Sequence, residues 1–99
     1  MWQMYVYTFL AGMLSANGVP HFVKGVSGER HPSPFGRSSS SVVNVFWGWL
    51  NFIAAGALVY WSGYHAHLLR SLSLIALGAL FMGLVLASRW SNEREHNKK

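Results

Sequence analysis

The sequence predicts an all-α fold: an integral membrane bundle of three transmembrane helices, with a cytoplasmic loop that lies partly in the membrane interface. Of its 99 residues 52% are hydrophobic and 11% are charged, and a soluble domain usually has about twice that charged fraction. Residues 1–23, 38–69 and 71–88 contain no Asp, Glu, Lys or Arg. A spanning helix needs about 20 apolar residues, so each run can hold one. The length allows a single domain, residues 1–99.

The first span is predicted at residues 2–23. A secretory signal peptide is the competing interpretation, and it would need a basic start and a cleavage site with small residues two apart. The first basic residue is Lys24, and Leu14-Ser15-Ala16 is a poor cleavage site. We therefore expect a retained helix.

The second and third spans are predicted at residues 42–61 and 68–88. Serines 38–41 offer hydroxyl groups that can cap the start of the second helix. Trp61 and Trp90 stand at the ends of the two runs, where aromatic side chains commonly sit at the membrane–water interface.

The basic residues predict the orientation. Three spans put the loop 24–41 and the tail 89–99 on one side of the membrane. Seven of the eight basic residues are on that side: Lys24, Arg30, Arg37, Arg89, Arg94, Lys98 and Lys99. Because basic loops stay in the cytoplasm, we expect a bacterial inner membrane protein with its N-terminus outside and its C-terminus cytoplasmic. Lys24, Arg37 and Arg89 are then predicted to contact lipid head groups.

The loop has two different halves. Phe22, Val23 and Val26 share one helical face, so this segment either continues the first helix past a kink at Pro20 or lies flat on the membrane. Pro32 and Pro34 favour an extended strip in the second half.

Four polar residues inside the spans form the predicted site. Asn17 and His21 share a face of the first helix, and Asn44 and Asn51 share a face of the second. The predicted orientation brings Asn17, His21 and Asn44 to one depth near the cytoplasmic side. One interpretation is hydrogen bonding that locks the two helices together. The other is a binding site for a polar head group, a quinone or a small ligand, because unpaired amides are costly in hydrocarbon.

Small residues recur at helical spacing in all three spans. The positions are Thr8, Gly12 and Ala16, then Gly48 and Gly56, then Ala79, Gly83 and Ala87. Such stripes let helix backbones approach closely, either within one chain or in a homo-oligomer. Both alternatives stay open at this point.

Most chemistry is excluded. The chain has no Cys and no Asp, and its three glutamates lie outside the predicted spans. No catalytic set, carboxylate pair or phosphate-binding loop can be built, so we expect no enzyme activity. His65 and His67 lack a third metal ligand, and only His21 lies in a span, so neither a metal nor haem is expected. We predict no cofactor, and no nucleic acid partner despite the net charge of +5.

One stretch resembles known sequences. Residues 17–28 read NGVPHFVKGVSG, Pro34-Phe35 follows, and residues 41–48 read SVVNVFWG. This third of the chain resembles a group of small uncharacterised bacterial integral membrane proteins that share N-G-[IV]-P-H-F-x-x-G-x-S-G and V-V-N-x-x-W-G. A looser likeness is to the DoxX-like membrane proteins, which usually have four spans. The resemblance implies that the loop and its flanking Asn and His form one unit.

Three functions follow as hypotheses. The first is a binding or accessory membrane protein, or a subunit of a larger membrane complex, that uses the polar cluster. The second is a small oligomeric channel or transporter. The third, implied by the DoxX-like resemblance, is a membrane protein that handles quinones or redox chemistry.

Overall fold

The computed structural model describes the backbone of residues 2–97 and the side chains of residues 2–91. Three long helices dominate it: α1 (Trp2–Val26), α2 (Ser41–Trp61) and α3 (Leu68–Asn97). A β-hairpin joins α1 to α2, with strands β1 (His31–Ser33) and β2 (Gly36–Ser39). A one-turn 3₁₀ helix, Tyr64–His67, joins α2 to α3. The predicted helical bundle is therefore present, and it carries a hairpin that the sequence did not reveal.

The helix ends differ from the predicted ones. Helix α1 continues through Pro20 as far as Val26, where the predicted span stopped at residue 23. Helix α3 continues through most of the predicted tail to Asn97, and the tail residues Lys98 and Lys99, which were counted for the orientation, lie outside the described residues. The apolar run marks where a membrane segment ends, whereas a helix can continue into water.

Local signals explain the boundaries of the hairpin. Gly28 follows α1 with φ +77°, and the Gly28 and Glu29 amides donate to the carbonyls of Gly25 and Lys24, which is a Schellman termination. At the other end Ser40 caps α2, because its hydroxyl accepts a hydrogen bond from the Val43 amide at 3.2 Å. The strands are antiparallel and pair His31 with Ser39 and Ser33 with Gly36.

Helix α1 is the centre of the bundle. Both α2 and α3 pack against it along their length, and they make almost no contact with each other. Glycines at the helix crossings permit these contacts. A Cβ at Gly18 would lie 2.9 Å from the Gly48 carbonyl oxygen, and one at Gly78 would collide with the Phe9 carbonyl oxygen. The backbones meet where there is no side chain to hold them apart.

Two helices among the described residues are long and apolar enough to cross a membrane, by length and composition. They are α2 (Ser41–Trp61) and the segment Tyr64–Ser91. Helix α1, predicted as the first span, is not one of them. It has the length but carries polar residues such as Asn17 and His21, which lower its hydropathy.

Candidate functional site

The four polar residues predicted from the sequence form two hydrogen-bonded pairs between α1 and α2. The Asn17 Nδ2 donates to Asn51 Oδ1 at 3.1 Å, and His21 Nδ1 lies 2.8 Å from Asn44 Oδ1. Asn44 is fully buried, and Asn51 and His21 are at least nine-tenths buried. The structure thus brings all four together at one end of the bundle.

Asn44 also attaches the hairpin to the helices. Its Nδ2 faces three backbone carbonyl oxygens, those of His31 at 2.9 Å, Ser40 at 3.1 Å and Ser39 at 3.3 Å. Two of these carbonyls belong to the hairpin strands. A single buried amide therefore joins α1, the hairpin and α2.

The Asn44 contacts determine which ring nitrogen of His21 donates a hydrogen bond to it. Only the NH₂ group of Asn44 can face carbonyl oxygens, so its Oδ1 is the atom that faces His21. Nδ1 of His21 must then donate. In the neutral imidazole the other nitrogen, Nε2, carries the lone pair and accepts hydrogen bonds.

Asn17 is oriented in the same way. Asn51 donates through Nδ2 to the Trp47 carbonyl oxygen at 2.8 Å, so its Oδ1 accepts from Asn17 Nδ2. The Oδ1 of Asn17 is the acceptor left over. Asn17 and His21 consequently present two hydrogen-bond acceptors on the same face of α1.

A partly open cavity of about 280 Å³ lies next to Asn17 and His21. It is enclosed by the second half of α1, the hairpin, Trp47 of α2 and the distal part of α3. Its lining residues are Asn17, Pro20, His21, His31, Pro32, Ser33, Pro34, Trp47, Leu86, Arg89 and Trp90. Ligand pockets usually start near 300 Å³, so the cavity suits a small molecule or a head group.

Two buried nitrogen atoms at this cavity have no hydrogen-bond partner within the described part of the chain: His31 Nε2 and Trp90 Nε1. Both atoms are covered by the surrounding protein, so these two residues line the cavity through their other atoms. The His31 ring lies between His21, at 5.1 Å between ring centroids, and Trp90, at 5.0 Å. The rings form a continuous surface across the cavity.

The charge around the cavity is positive. Arg89 lines it, with its guanidinium carbon 5.0 Å from the centroid of the Trp90 ring. Burial lowers the pKa of His31, and nearby positive charge, including that of Lys24 and Arg89, lowers it further against the opposing effect of Glu29. His31 is therefore neutral near pH 7.

The three predicted head-group contacts differ in position. Arg89 lines the cavity, and Arg37 is exposed on strand β2. Lys24 pairs with Glu29 at 3.7 Å, and the exposure of both side chains makes this a weak ion pair. No three described His, Asp or Glu side chains lie close enough together to hold a metal ion.

Sequence reasoning missed His31 and Trp90 as site residues. The sequence places His31 in the predicted loop and Trp90 at the end of the third span, where it is expected at the membrane–water interface. One signal could have found them: three spans bring the loop and the end of the third helix to the same side as His21. The hairpin that folds His31 back over the helices has no such signal.

No protein-family model, curated protein or solved structure matches the chain. The resemblance of residues 17–51 to small bacterial membrane proteins stays a prediction. The class of protein is therefore defined by fold and site alone: a three-helix chain with two apolar helices suited to a membrane and a positively charged cavity at one end.

Proposed function

We propose that this protein is an integral membrane protein of three spans that acts as a binding or accessory protein, with the cavity between α1, the hairpin and α3 as its ligand site. Its N-terminus is outside and its C-terminus is in the cytoplasm. The cavity then lies at the cytoplasmic face of a bacterial inner membrane.

The exposed apolar surface supports the membrane location. Only 22% of the α2 window and 11% of the α3 window are buried within the chain, whereas the core helix of a soluble protein is mostly buried. Large side chains on these helices are more than half exposed, among them Phe46, Ile53, Leu77 and Leu84. Soluble monomers rarely expose apolar patches of this extent, so a lipid environment explains the surface best.

The central position of α1 supports its crossing the membrane despite its polar residues. Its 25 residues span about 37 Å, more than the hydrocarbon thickness. Because α2 and α3 cover two of its sides, Asn17 and His21 each bond to a residue of α2 and do not face lipid. A central helix needs a less apolar sequence than its outer neighbours.

Labelling of single cysteines tests the three spans, and the chain has no native Cys to interfere. We choose the exposed positions Gln3→Cys, Gly36→Cys and Ala66→Cys. A membrane-impermeant maleimide added to intact cells with a permeable outer membrane should label Gln3→Cys and Ala66→Cys. Gly36→Cys should react only after the inner membrane is opened. Labelling of Gly36→Cys together with Gln3→Cys would contradict the first span.

The binding function depends on one observation: a partly open cavity of about 280 Å³ is lined by the polar residues Asn17 and His21 and by the cation Arg89. Native mass spectrometry of the protein extracted in a mild detergent should detect a small adduct. Arg89→Gln keeps a polar side chain at the cavity and removes its charge, so it should reduce the adduct. Arg70→Gln, on an exposed arginine at the other end of α3, is the matched control. Equal adducts in wild type and both variants, or none in any, would contradict a ligand site at the cavity.

A further inference from the structure

Asn17 and His21 offer hydrogen-bond acceptors that a ligand can reach. Asn17 donates through Nδ2 to Asn51 and His21 donates through Nδ1 to Asn44, so Asn17 Oδ1 and His21 Nε2 remain as acceptors. Neither atom is among the buried side-chain nitrogen and oxygen atoms that lack a partner in the described part of the chain. Both acceptors are therefore accessible, and the cavity is the space that these two residues line.

The two acceptors require two donors from the ligand. Asn17 and His21 are four residues apart, so their side chains are neighbours on one face of α1. An ammonium donor would bring a second positive charge into a cavity that Arg89 already lines, whereas hydroxyl groups donate without charge. Neighbouring hydroxyls on one small molecule satisfy both acceptors.

The rest of the lining supplies a donor and ring surfaces. Arg89 of α3 can only donate, and a hydroxyl that donates to α1 still has lone pairs with which it accepts. The Trp47 ring lines the cavity, and edge-to-face contacts with His21 and Phe35 hold it in position. Three prolines add further nonpolar surface. The C–H groups of a sugar ring pack on such surfaces while its hydroxyls bond at the edge.

We propose that the ligand is a sugar ring of head-group size, with neighbouring hydroxyls donating to Asn17 Oδ1 and His21 Nε2 and accepting from Arg89. This inference rests on the proposed function, because it names the ligand class of that same cavity. A cavity of about 280 Å³ is near the lower limit of ligand pockets, which suits a single ring. Two sources have this chemistry: the head group of a glycolipid, and a free sugar.

The surroundings of the cavity accommodate a lipid as well as a free molecule. Leu86 lines it on α3, and the neighbouring Leu84 and Val85 are exposed on the outside of the bundle. The acyl chains of a glycolipid can follow this apolar surface of α3 while the sugar occupies the cavity. A free sugar uses only the cavity.

The test is a titration followed by native mass spectrometry of the full chain. The protein is extracted in a polyoxyethylene detergent, because a detergent with a sugar head group would compete for the cavity. The probes are glucosyl diacylglycerol, its tetra-O-methyl derivative with the same acyl chains, and methyl glucoside as the free compound. Methylation keeps every oxygen of the sugar as an acceptor and removes every hydroxyl donor.

We expect the glucosyl lipid to bind about 25-fold more tightly than its tetra-O-methyl derivative, since two neutral hydrogen bonds are lost. Arg89→Gln should weaken the glucosyl lipid about fivefold, because a charged donor makes a stronger hydrogen bond than a neutral one. Methyl glucoside that binds as tightly as the lipid would identify the free source, and weaker binding would identify the lipid.

Asn17→Leu and Asn51→Leu form the matched pair of variants. Both lose the hydrogen bond between the two amides, but only Asn17 lines the cavity. Asn17→Leu should weaken the glucosyl lipid about fivefold, since one neutral hydrogen bond is lost, and Asn51→Leu should stay within about twofold of wild type. The tetra-O-methyl lipid should bind wild type and Asn17→Leu equally, which separates the lost hydrogen bond from lost stability and from steric effects.

Each contrary result has a distinct meaning. Equal affinity for the glucosyl lipid and its tetra-O-methyl derivative, or an Asn17→Leu variant that binds the glucosyl lipid like wild type, would overturn the sugar recognition. An adduct carried from the cell that depends on Arg89 and contains no sugar would do the same and leave the binding function intact. Adduct and glucosyl lipid that both bind without any dependence on Arg89 or Asn17 would overturn the inference and the cavity site together.

Discussion

The two faces of α1 are held to their neighbours by different means. Toward α2, the buried pairs Asn17–Asn51 and His21–Asn44 accompany the contact of Gly18 with Gly48. Toward α3, the contact is a backbone approach at Gly12 and Gly78, with a side-chain hydrogen bond from Arg70 to the Tyr5 hydroxyl at an exposed position. One interface is polar and directional, and the other depends on close packing.

The two faces of α1 therefore have different roles in stability and in site geometry. Lipid gives no hydrophobic drive for helices to associate, so close packing must supply much of the attraction on the α3 side. The polar pairs on the α2 side add little more than packing would, because hydrogen bonds inside membranes average about 0.6 kcal/mol. They do orient Asn17 and His21 toward the cavity. Stability and site geometry thus come mainly from opposite faces of one helix.

The largest effect is expected from adding a side chain at the close contact between α1 and α3. Gly78→Ala places a Cβ against the Phe9 carbonyl, and because a backbone atom cannot move aside alone, the helices must separate. We expect a loss of about 2–3 kcal/mol in the free energy of unfolding. The measurement is denaturant unfolding in detergent micelles.

Gly83→Ala, one turn further along α3, is the control for this substitution. A Cβ there meets open space, so the helix propensity of Ala should make it neutral or slightly stabilising. Similar stability of the two variants would show that α1 and α3 do not approach so closely.

The second prediction concerns the polar interface between α1 and α2. Asn44→Leu removes the partner of His21 and leaves the His31, Ser39 and Ser40 carbonyls without their shared donor. We expect a loss of about 2 kcal/mol in unfolding free energy, together with release of the hairpin. Limited proteolysis at the hairpin measures the release separately from global unfolding.

Ser73→Leu is the matched control for Asn44→Leu. Its hydroxyl is exposed and bonds only within its own helix, to the Leu69 carbonyl. If both variants unfold and are cleaved like wild type, the Asn44 network does not hold the hairpin.

The third prediction isolates the outer pair of the polar interface. Asn17→Leu, Asn51→Leu and the double variant form a thermodynamic cycle that reports the coupling of their single hydrogen bond. We expect a coupling of about 0.6 kcal/mol, well below the effect of Asn44. A coupling of zero would mean that the Asn17–Asn51 bond at 3.1 Å adds nothing to packing.

The smallest effect is a pH dependence at the cavity. The pKa of His31 is lowered by burial and by nearby positive charge, including that of Lys24 and Arg89, against the opposing effect of Glu29. The unfolded chain therefore binds a proton at His31 below about pH 6.5 that the folded chain does not bind until a lower pH. Stability should decrease as the pH falls from 7.5 to 5.5.

His31→Gln should weaken this dependence in thermal unfolding measured at several pH values. The glutamine keeps a polar side chain and cannot titrate in this range. A wild-type stability that rises toward pH 5.5, or a His31→Gln variant with the same slope as wild type, would contradict the assignment.

Composition and periodicity were enough to predict three helices and to select the four polar residues. The absence of charge over long runs marks the helices, and the four-residue spacing of Asn17 and His21 and the seven-residue spacing of Asn44 and Asn51 put each pair on one helical face. Depth predicted the His21–Asn44 pair, but Asn17, which was expected at the depth of Asn44, pairs with Asn51 instead. The partners of Asn44 in the hairpin could not be predicted, since they are backbone carbonyls, which carry no sequence signal.

The tertiary structure alone decided which glycines matter. The sequence offered Gly12, Gly48, Gly56 and Gly83 as equivalent small residues, yet only Gly12 and Gly48 of these meet another helix, and Gly78, outside the predicted stripe, meets α1. Spacing shows which residues share a face, but the crossing point depends on how whole helices pack.

The sequence by itself therefore determined the helices, the apolar surface and the polar residues that need partners, because each depends on local composition and spacing. The tertiary structure decided that α1 is central, that a hairpin folds back through Asn44, and that His31, Arg89 and Trp90 meet His21 around one cavity. The physical reason is distance along the chain: His21 and Trp90 are joined by two helix-to-helix connections, and only packing brings them together.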